Sequence, residues 1–150
     1  MAIQLSDTDK AIINALQRDG KATNASIARE TGVSEETIRR RSNRLIQEEV
    51  IKVTGIPDAS KLGYECEVLI GIQTAPDKLD NVATALSALD EVSVVSITTG
   101  SYDIFAEVRL LSHADLLGFI TGKVSSISGV VRTETFINLA TRKRDYSLPM

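Results

Sequence analysis

The chain has 150 residues, of which 43% are hydrophobic and 25% are charged, and its formal net charge is -3. This composition excludes disordered and fibrous classes and suits one globular domain or two small ones. No apolar run approaches the roughly 20 residues that a membrane-spanning helix needs. The N-terminus lacks the basic start and apolar centre of a signal peptide, so we expect a cytoplasmic protein with no membrane contact.

Residues 1 to 50 have a helical period, with three segments bracketed by capping residues and glycines. The predicted starts are Ser6 or Asp7, Asn24 and Ser34, and the predicted ends are Gly20 in a left-handed conformation, Gly32 and about Glu49. In the third helix, Ile38, Leu45 and Ile46 are predicted to face the core. Ala28, Gly32 and Ile38 have the spacing at which two helices of a helix-turn-helix cross.

The third predicted helix has four arginines in six consecutive positions, namely Arg39, Arg40, Arg41 and Arg44. At about 100° per residue they project away from Ile38 and Leu45, with Arg39 at the flank. This geometry is typical of a recognition helix in the DNA major groove. We expect the N-terminal half of this helix to contact base edges through Ser34, Glu36, Thr37 and Arg40. Phosphates are expected to be bound further along the helix, by Arg41 and Arg44.

A simpler interpretation is that these arginines form a solvated surface, paired with glutamates three or four residues away. Arginine is favoured where bidentate contact to guanine or phosphate matters, and here the arginines coincide with helix-turn-helix spacing. We therefore favour DNA binding.

The remainder alternates between strand and helix patterns, after a linker predicted over residues 51 to 63. The segments are, in order, YECEVLIGIQT, PDKLDNVATALSAL with Pro76 near the first helical position, VSVVSITTG, DIFAEVRLL, SHADLLGFITGKVSSISG and VVRTETFINLAT. The order βαββαβ predicts a ferredoxin-like antiparallel sheet with both helices on one face. The expected fold is thus α+β, with a helix-turn-helix domain over 1 to 50 and a ferredoxin-like domain over 64 to 150.

The sheet face away from the predicted helices mixes large apolar residues, such as Leu69, Phe105 and Phe136, with charges of both signs. Such a face suits a second copy of the same sheet. We expect a homodimer through this domain.

Over nearly its whole length the chain resembles the Lrp/AsnC, or feast/famine, family of transcriptional regulators. The resemblance is carried by LSDTDKAIINALQRDGKATNASIARETGVSEETIRRRSNRLIQEEVIKVTG, TTGSYDIFAEV and SGVVRTETFINLA. It implies a winged or arm-linked helix-turn-helix, a ligand-binding ferredoxin-like domain, dimers that assemble into tetramers or octamers, and an amino-acid effector. Arg41 is the arginine that best matches the family pattern, followed by Arg44, whereas Glu49 stands where that pattern commonly has glycine.

The segment TGSYD is the predicted effector site, because a glycine-bearing turn can offer backbone N–H groups to a carboxylate and a carboxylate to an amino group. The candidate effector residues are Thr99, Gly100, Tyr102, Asp103, Thr133 and Thr135. The same turn residues also make an ordinary hairpin turn.

Two further classes of protein stay open at this stage. Some siroheme decarboxylases resemble this architecture, but a single histidine, His113, and a single cysteine, Cys66, leave no catalytic constellation, no metal site and no cofactor ligand pair. We expect Cys66 to be a buried thiol and His113 a surface residue. The other alternative is a non-specific DNA-binding or assembly protein. The favoured hypothesis instead predicts a dimer with two recognition helices about 34 to 36 Å apart, whose target in double-stranded DNA is an imperfect palindrome.

Overall fold

The computed structural model describes residues 3 to 149, which form two compact units. The first unit comprises the chain up to Ile56 together with the residues from Arg144 onward, and the second comprises Pro57–Lys143. The second domain was expected to continue to residue 150, whereas the C-terminal residues group with the first unit. Two hydrogen bonds attach Leu148 to Gln17. Nε2 of Gln17 donates to the carbonyl oxygen of Leu148 at 3.1 Å, and the amide of Leu148 donates to Oε1 of Gln17 at 2.5 Å.

The first unit contains three helices: α1 at Asp7–Arg18, α2 at Asn24–Thr31 and α3 at Glu35–Gln47. The described residues of this unit form no strand and therefore no wing. Each helix begins at a hydroxyl side chain that accepts a hydrogen bond from the first turn, as N-caps do. These caps are Ser6, Thr23 and Ser34.

Two predicted boundaries in this unit are wrong. Asn24 is the first helical residue rather than the cap, because the hydroxyl of Thr23 accepts the bond from the Ser26 amide. Gly20 does not have a left-handed backbone, and α1 ends at Arg18, with Asp19 as its C-cap in an extended conformation. The side chain of Asp19 then accepts a hydrogen bond from the amide of Lys21, which closes the turn that glycine was expected to make.

The core of the first unit contains residues from all three helices, namely Ile12, Ile13, Ala15, Ile27, Ile38 and Leu45. Ile46 was predicted to join this core, but it is 46% exposed. Its neighbour Leu45 fills the core position, and Ile46 is rotated by about 100° from Leu45 around the helix, so it faces away from the core. Gly32, at φ 69°, makes the left-handed turn between α2 and α3 that its position predicts.

The second unit is an antiparallel four-stranded sheet with two helical segments. Its elements are β1 at Cys66–Thr74, α4 at Leu79–Ser87, β2 at Val92–Ile97, β3 at Ile104–Leu110, α5 at Ala114–Gly118 continued by π-helical residues Phe119–Val124, and β4 at Val130–Ile137. The strand order is β2-β3-β1-β4, which confirms the ferredoxin-like βαββαβ fold. A single 3₁₀ turn at Ser60–Leu62 precedes the sheet and ends at Gly63, as expected.

Both helical segments of this unit differ in detail from their predictions. Pro76 lies in a turn before α4, which begins only at Leu79. The second helix is α-helical for five residues and then becomes π-helical from Phe119. Both still bury their apolar residues, such as Val82 and Phe119, against the sheet.

One face of the sheet is covered by α4 and α5, and alternate residues of β1 and β3 enter this core. Cys66 is among them, 1% exposed, and burial raises the pKa of its thiol, with the Asp115 carboxylate adding to the effect. Cys66 is therefore a buried neutral thiol, as predicted. His113, just before α5, is exposed, also as predicted.

The opposite sheet face has an aromatic cluster, formed by Tyr102, Phe105 and Phe136. The ring of Tyr102 makes edge contacts with Phe105 and Phe136, at centroid distances of 5.4 and 6.2 Å. It also lies directly over Gly71 of β1, where a Cβ atom would be only 2.8 Å from Cγ of the tyrosine. The Tyr102 hydroxyl donates a hydrogen bond to the carboxylate of Glu134.

Among the described residues, no helix is both long enough and apolar enough to cross a membrane.

Candidate nucleic-acid interface

The orientation of α3 is fixed by three buried residues on one side, Ile38, Ser42 and Leu45. The other side is polar and exposed, which is the arrangement that its sequence period predicts. At its N-terminal end, Ser34 Oγ accepts a hydrogen bond from the Thr37 amide at 3.3 Å and lies 2.8 Å from the Thr37 hydroxyl. The hydroxyls of Ser34 and Thr37 are therefore already used in capping the helix.

The outward side of α3 forms an open depression of about 480 Å³. It is lined by five polar residues, namely Arg40, Arg41, Asn43, Arg44 and Gln47. Asn43 and Gln47 are missing from the sequence-based site. Their spacing from Arg40, three and seven residues on, is the helical repeat that could have identified them.

The four arginines differ in their contacts. Arg39 forms an ion pair with Glu36 one turn earlier, at 2.6 Å. Arg40 is exposed and has no ion pair or hydrogen bond among the contacts of residues 3 to 149. Arg40 is thus the arginine most available to a ligand.

Arg41 lines the outward depression, but its guanidinium also contacts the neighbouring helix α1. Its guanidinium Nη1 lies 3.1 Å from Oδ1 and 3.2 Å from Oδ2 of Asp9, on α1. Arg44 reaches the same carboxylate, with Nη2 at 3.1 Å from Oδ2. Helical periodicity cannot reveal these contacts, because they join residues more than 30 positions apart.

Asp9 is buried, 1% exposed, and it also completes the capping box of α1. Its Oδ2 accepts hydrogen bonds from the Ser6 amide at 3.0 Å and the Ser6 hydroxyl at 2.7 Å. Burial, the largest single influence, raises the pKa of Asp9, but the hydrogen bonds from Ser6 and Arg41 together lower it below its ordinary value. The carboxylate is therefore ionised at neutral pH and attracts both guanidinium groups.

The predicted effector turn joins β2 to β3. It is closed by a hydrogen bond from the Thr98 amide to the Asp103 carbonyl at 2.8 Å, and Gly100 has a φ of 117°. Oδ2 of Asp103 accepts from the amide of Thr74 at 2.7 Å, which ties the turn to the end of β1. Asp103 therefore has a structural contact whether or not it binds a ligand. Thr99 is exposed in the same turn.

The six candidate effector residues are not brought together within one copy of the chain. Thr133 and Thr135 pair with Ile72 and Ile70, whose side chains are buried on the helix side of the sheet. Tyr102 lies on the opposite face, over Gly71. Among the described residues, no group of three or more metal-ligating side chains is found either.

Comparison with known proteins assigns both halves of the chain. Residues 5 to 46 match the AsnC-type helix-turn-helix domain, and residues 67 to 148 match the Lrp/AsnC ligand binding domain. The chain belongs to the Lrp/AsnC family of transcriptional regulators. This membership confirms the resemblance, and it identifies the protein as a regulator rather than an enzyme.

Individual relatives agree with this membership. An HTH-type transcriptional regulator of Pyrococcus abyssi is 39% identical over 146 residues, which cover 97% of this chain and 92% of the relative. The structure of E. coli AsnC has a TM-score of 0.91 at 30% identity, covering 98% of this chain and all of that one. A transcriptional regulator from Neisseria meningitidis, solved as a complex with L-Met, has a TM-score of 0.90 at 21% identity, with 97% of each chain covered.

Proposed function

We propose that this Lrp/AsnC regulator binds double-stranded DNA sequence-specifically through α3, which enters the major groove. In this proposal Arg40 reads a base edge, Arg41 and Arg44 bind phosphates, and Ser34, Glu36, Thr37 and Arg39 line the approach to the N-terminal half of the helix. The functional division follows the two matched domains, with residues 1 to 50 binding DNA, residues 51 to 63 as the linker and the sheet domain binding the effector. DNA as the partner implies a cytoplasmic location.

The observation that carries this proposal is the depression on α3, which is lined by three arginines and two amide side chains. Arginine pairs bidentately with guanine, and asparagine and glutamine with adenine, in the major groove. The acidic net charge of -3 does not oppose this function, because attraction to DNA depends on the local field around α3.

Replacement of Arg40 by alanine tests the proposal. Target sequences would first be selected by the wild-type protein from random duplex DNA. Arg40→Ala should then weaken binding to the selected site by about 1 to 3 kcal/mol and relax the preference at one base position. The dissociation constants of the variant would be measured on the selected site and on four single-base variants of it.

The matched control is Arg142→Ala, which removes the same charge from an exposed position of the second unit. It should leave both affinity and base preference unchanged. Equal loss on every sequence for Arg40→Ala would assign this arginine to phosphate, and wild-type protein without any sequence preference would favour a non-specific DNA-binding or assembly role.

We also propose a homodimer through the sheet face that the helices leave open, with further association into tetramers or octamers. The aromatic cluster of Tyr102, Phe105 and Phe136 supports this, because Phe136 is a large apolar side chain that is 42% exposed on this face. A two-fold axis would present two recognition helices to an imperfect palindrome.

An amino acid is the proposed effector, supported by the L-Met complex of the Neisseria meningitidis regulator. The turn of Thr99, Gly100, Tyr102 and Asp103 would bind its polar groups, and Thr133 and Thr135 would take part through a neighbouring copy. A thermal-shift screen of the twenty amino acids tests this. A ligand that raises the Tm of the wild type should have a reduced effect on Asp103→Asn, and a Tm raised equally in both would remove Asp103 from the site.

A further inference from the structure

Asp9 links α1 to the two arginines of α3 that lie closest to the core. A single oxygen, Oδ2, accepts hydrogen bonds from Ser6, Arg41 and Arg44. The side chain of Asp9 is 2% exposed, whereas those of Arg41 and Arg44 are 30% and 43% exposed. The buried carboxylate therefore holds two guanidinium groups whose side chains are still partly exposed at the surface.

The charges around this cluster include one further carboxylate. Oε2 of Glu48 lies 3.9 Å from Nε of Arg44, so Asp9 and Glu48 together face the two guanidinium groups. The Nε atom of Arg41 is shielded from water and has no hydrogen-bond partner among the described residues. A phosphate cannot reach this shielded atom, so it would have to contact the remaining N–H groups of Arg41, whose side chain is 30% exposed.

Holding a long side chain in place before binding has an energetic consequence. A free arginine loses rotamer freedom when it contacts a ligand, and this loss of entropy weakens binding. Arg41 and Arg44 have lost much of this freedom already in the folded protein, because Asp9 fixes them. Arg40 has no such restraint and keeps its freedom to adapt to a base.

We propose that Asp9 is a positioning residue for DNA binding, which presets Arg41 and Arg44 as a clamp for one backbone phosphate. The proposal rests on the proposed function and assigns different roles to the arginines of α3. The restrained pair supplies affinity for any duplex, and the unrestrained Arg40 supplies discrimination between sequences.

Simple electrostatics predicts the opposite effect of removing Asp9. A carboxylate beside a DNA-binding surface repels phosphate, so its neutralisation should tighten binding and steepen the dependence on salt. A purely structural role predicts a third result, in which fewer molecules are folded but each folded molecule binds as before. The sign of the change in affinity thus separates the three explanations.

The test is Asp9→Asn, which keeps the shape of the side chain and removes its charge. The folded fraction is determined by circular dichroism and the active fraction by stoichiometric titration with duplex DNA. Dissociation constants of the active fraction are then measured on a selected site and on a random duplex, at several salt concentrations. We expect binding to both duplexes to weaken by about tenfold, with their ratio unchanged.

A second variant, Ser6→Ala, covers the case in which Asp9→Asn does not fold. It removes the hydroxyl that contacts both Asp9 and Arg41, at 2.7 and 3.0 Å, without changing any charge. Binding to both duplexes should weaken by about threefold, since one restraint is lost and the ion pairs remain. In an Arg41→Ala, Arg44→Ala background, Asp9→Asn should give no further loss.

Unchanged or tighter binding by the folded fraction of Asp9→Asn overturns the positioning role while leaving the proposed function in place. If only Ser6→Ala folds, unchanged binding by that variant overturns it equally. Wild-type protein that binds neither duplex would instead overturn the proposed function itself.

Discussion

Glu49, two residues after the end of α3, has a backbone conformation that suits glycine. Its φ is 54°, and it is the only non-glycine residue with positive φ in the described part of the chain. The amide of Val50 then bonds back to the Leu45 carbonyl at 2.9 Å, so the tight turn is required by the helix end. The left-handed conformation is disfavoured by a Cβ atom, and Glu49 therefore carries local strain.

Glu49→Gly should relieve that strain. We expect the free energy of unfolding, measured by urea denaturation, to rise by about 0.5 to 1 kcal/mol. Glu48→Gly is the matched control, since Glu48 has a φ of -82° and gains nothing from glycine. It should lower stability by a similar amount, and a loss in both variants would contradict the strain at Glu49.

At the residue scale, the sequence predicted those features that depend on residues close to one another in the chain. The Ser34 cap, the Gly32 turn and the outward direction of Arg40 follow from spacing along one helix. The ion pairs of Asp9 with Arg41 and Arg44 depend on how α1 and α3 pack, which periodicity does not specify. The capping-box spacing of Ser6 and Asp9 was visible in the sequence, but it explains only the contact within α1.

At the scale of elements, β1 and the β2–β3 turn fit together through Gly71 and Tyr102. A Cβ atom on residue 71 would lie 2.8, 2.9 and 3.0 Å from three ring atoms of Tyr102. Glycine in a central strand is otherwise unfavourable, so its presence here is explained by the close approach of the ring. The order of strands and helices was predicted correctly, whereas the π-helical continuation of α5 was not, because no residue pattern distinguishes it from an α-helix.

Gly71→Ala should destabilise the second unit by about 1 to 3 kcal/mol, because the ring must move from its position over the strand. Tyr102→Ala in the same chain removes the obstacle, so the double variant should lose less stability than the sum of the two single variants. Thermal and urea unfolding of the four proteins measure this coupling. Gly118→Ala, on α5 with no atom within 4 Å of the added Cβ, is the control and should not destabilise.

At the scale of the whole molecule, the proposed association of two copies through the open face of the sheet can be tested by mutation. Phe136→Asp places a charge in the aromatic cluster and should convert a dimer into monomers, as measured by sedimentation equilibrium. Leu117→Asp, at a side chain 72% exposed on α5, introduces the same charge outside this face and should leave the mass unchanged. A dimer that persists in Phe136→Asp would show that the copies meet elsewhere.

The return of the C-terminal residues to the first unit has a practical consequence. Because the chain re-enters the helix-turn-helix unit at Arg144 and Leu148 bonds to Gln17 of α1, the sheet unit is in effect an insertion within the sequence of its neighbour. A fluorophore or affinity tag attached behind Leu148 would be carried by the helical unit, and removal of the last seven residues would take away part of that unit. Spectroscopic labels intended for the sheet unit belong instead on its own loops, such as the one that contains Gly100.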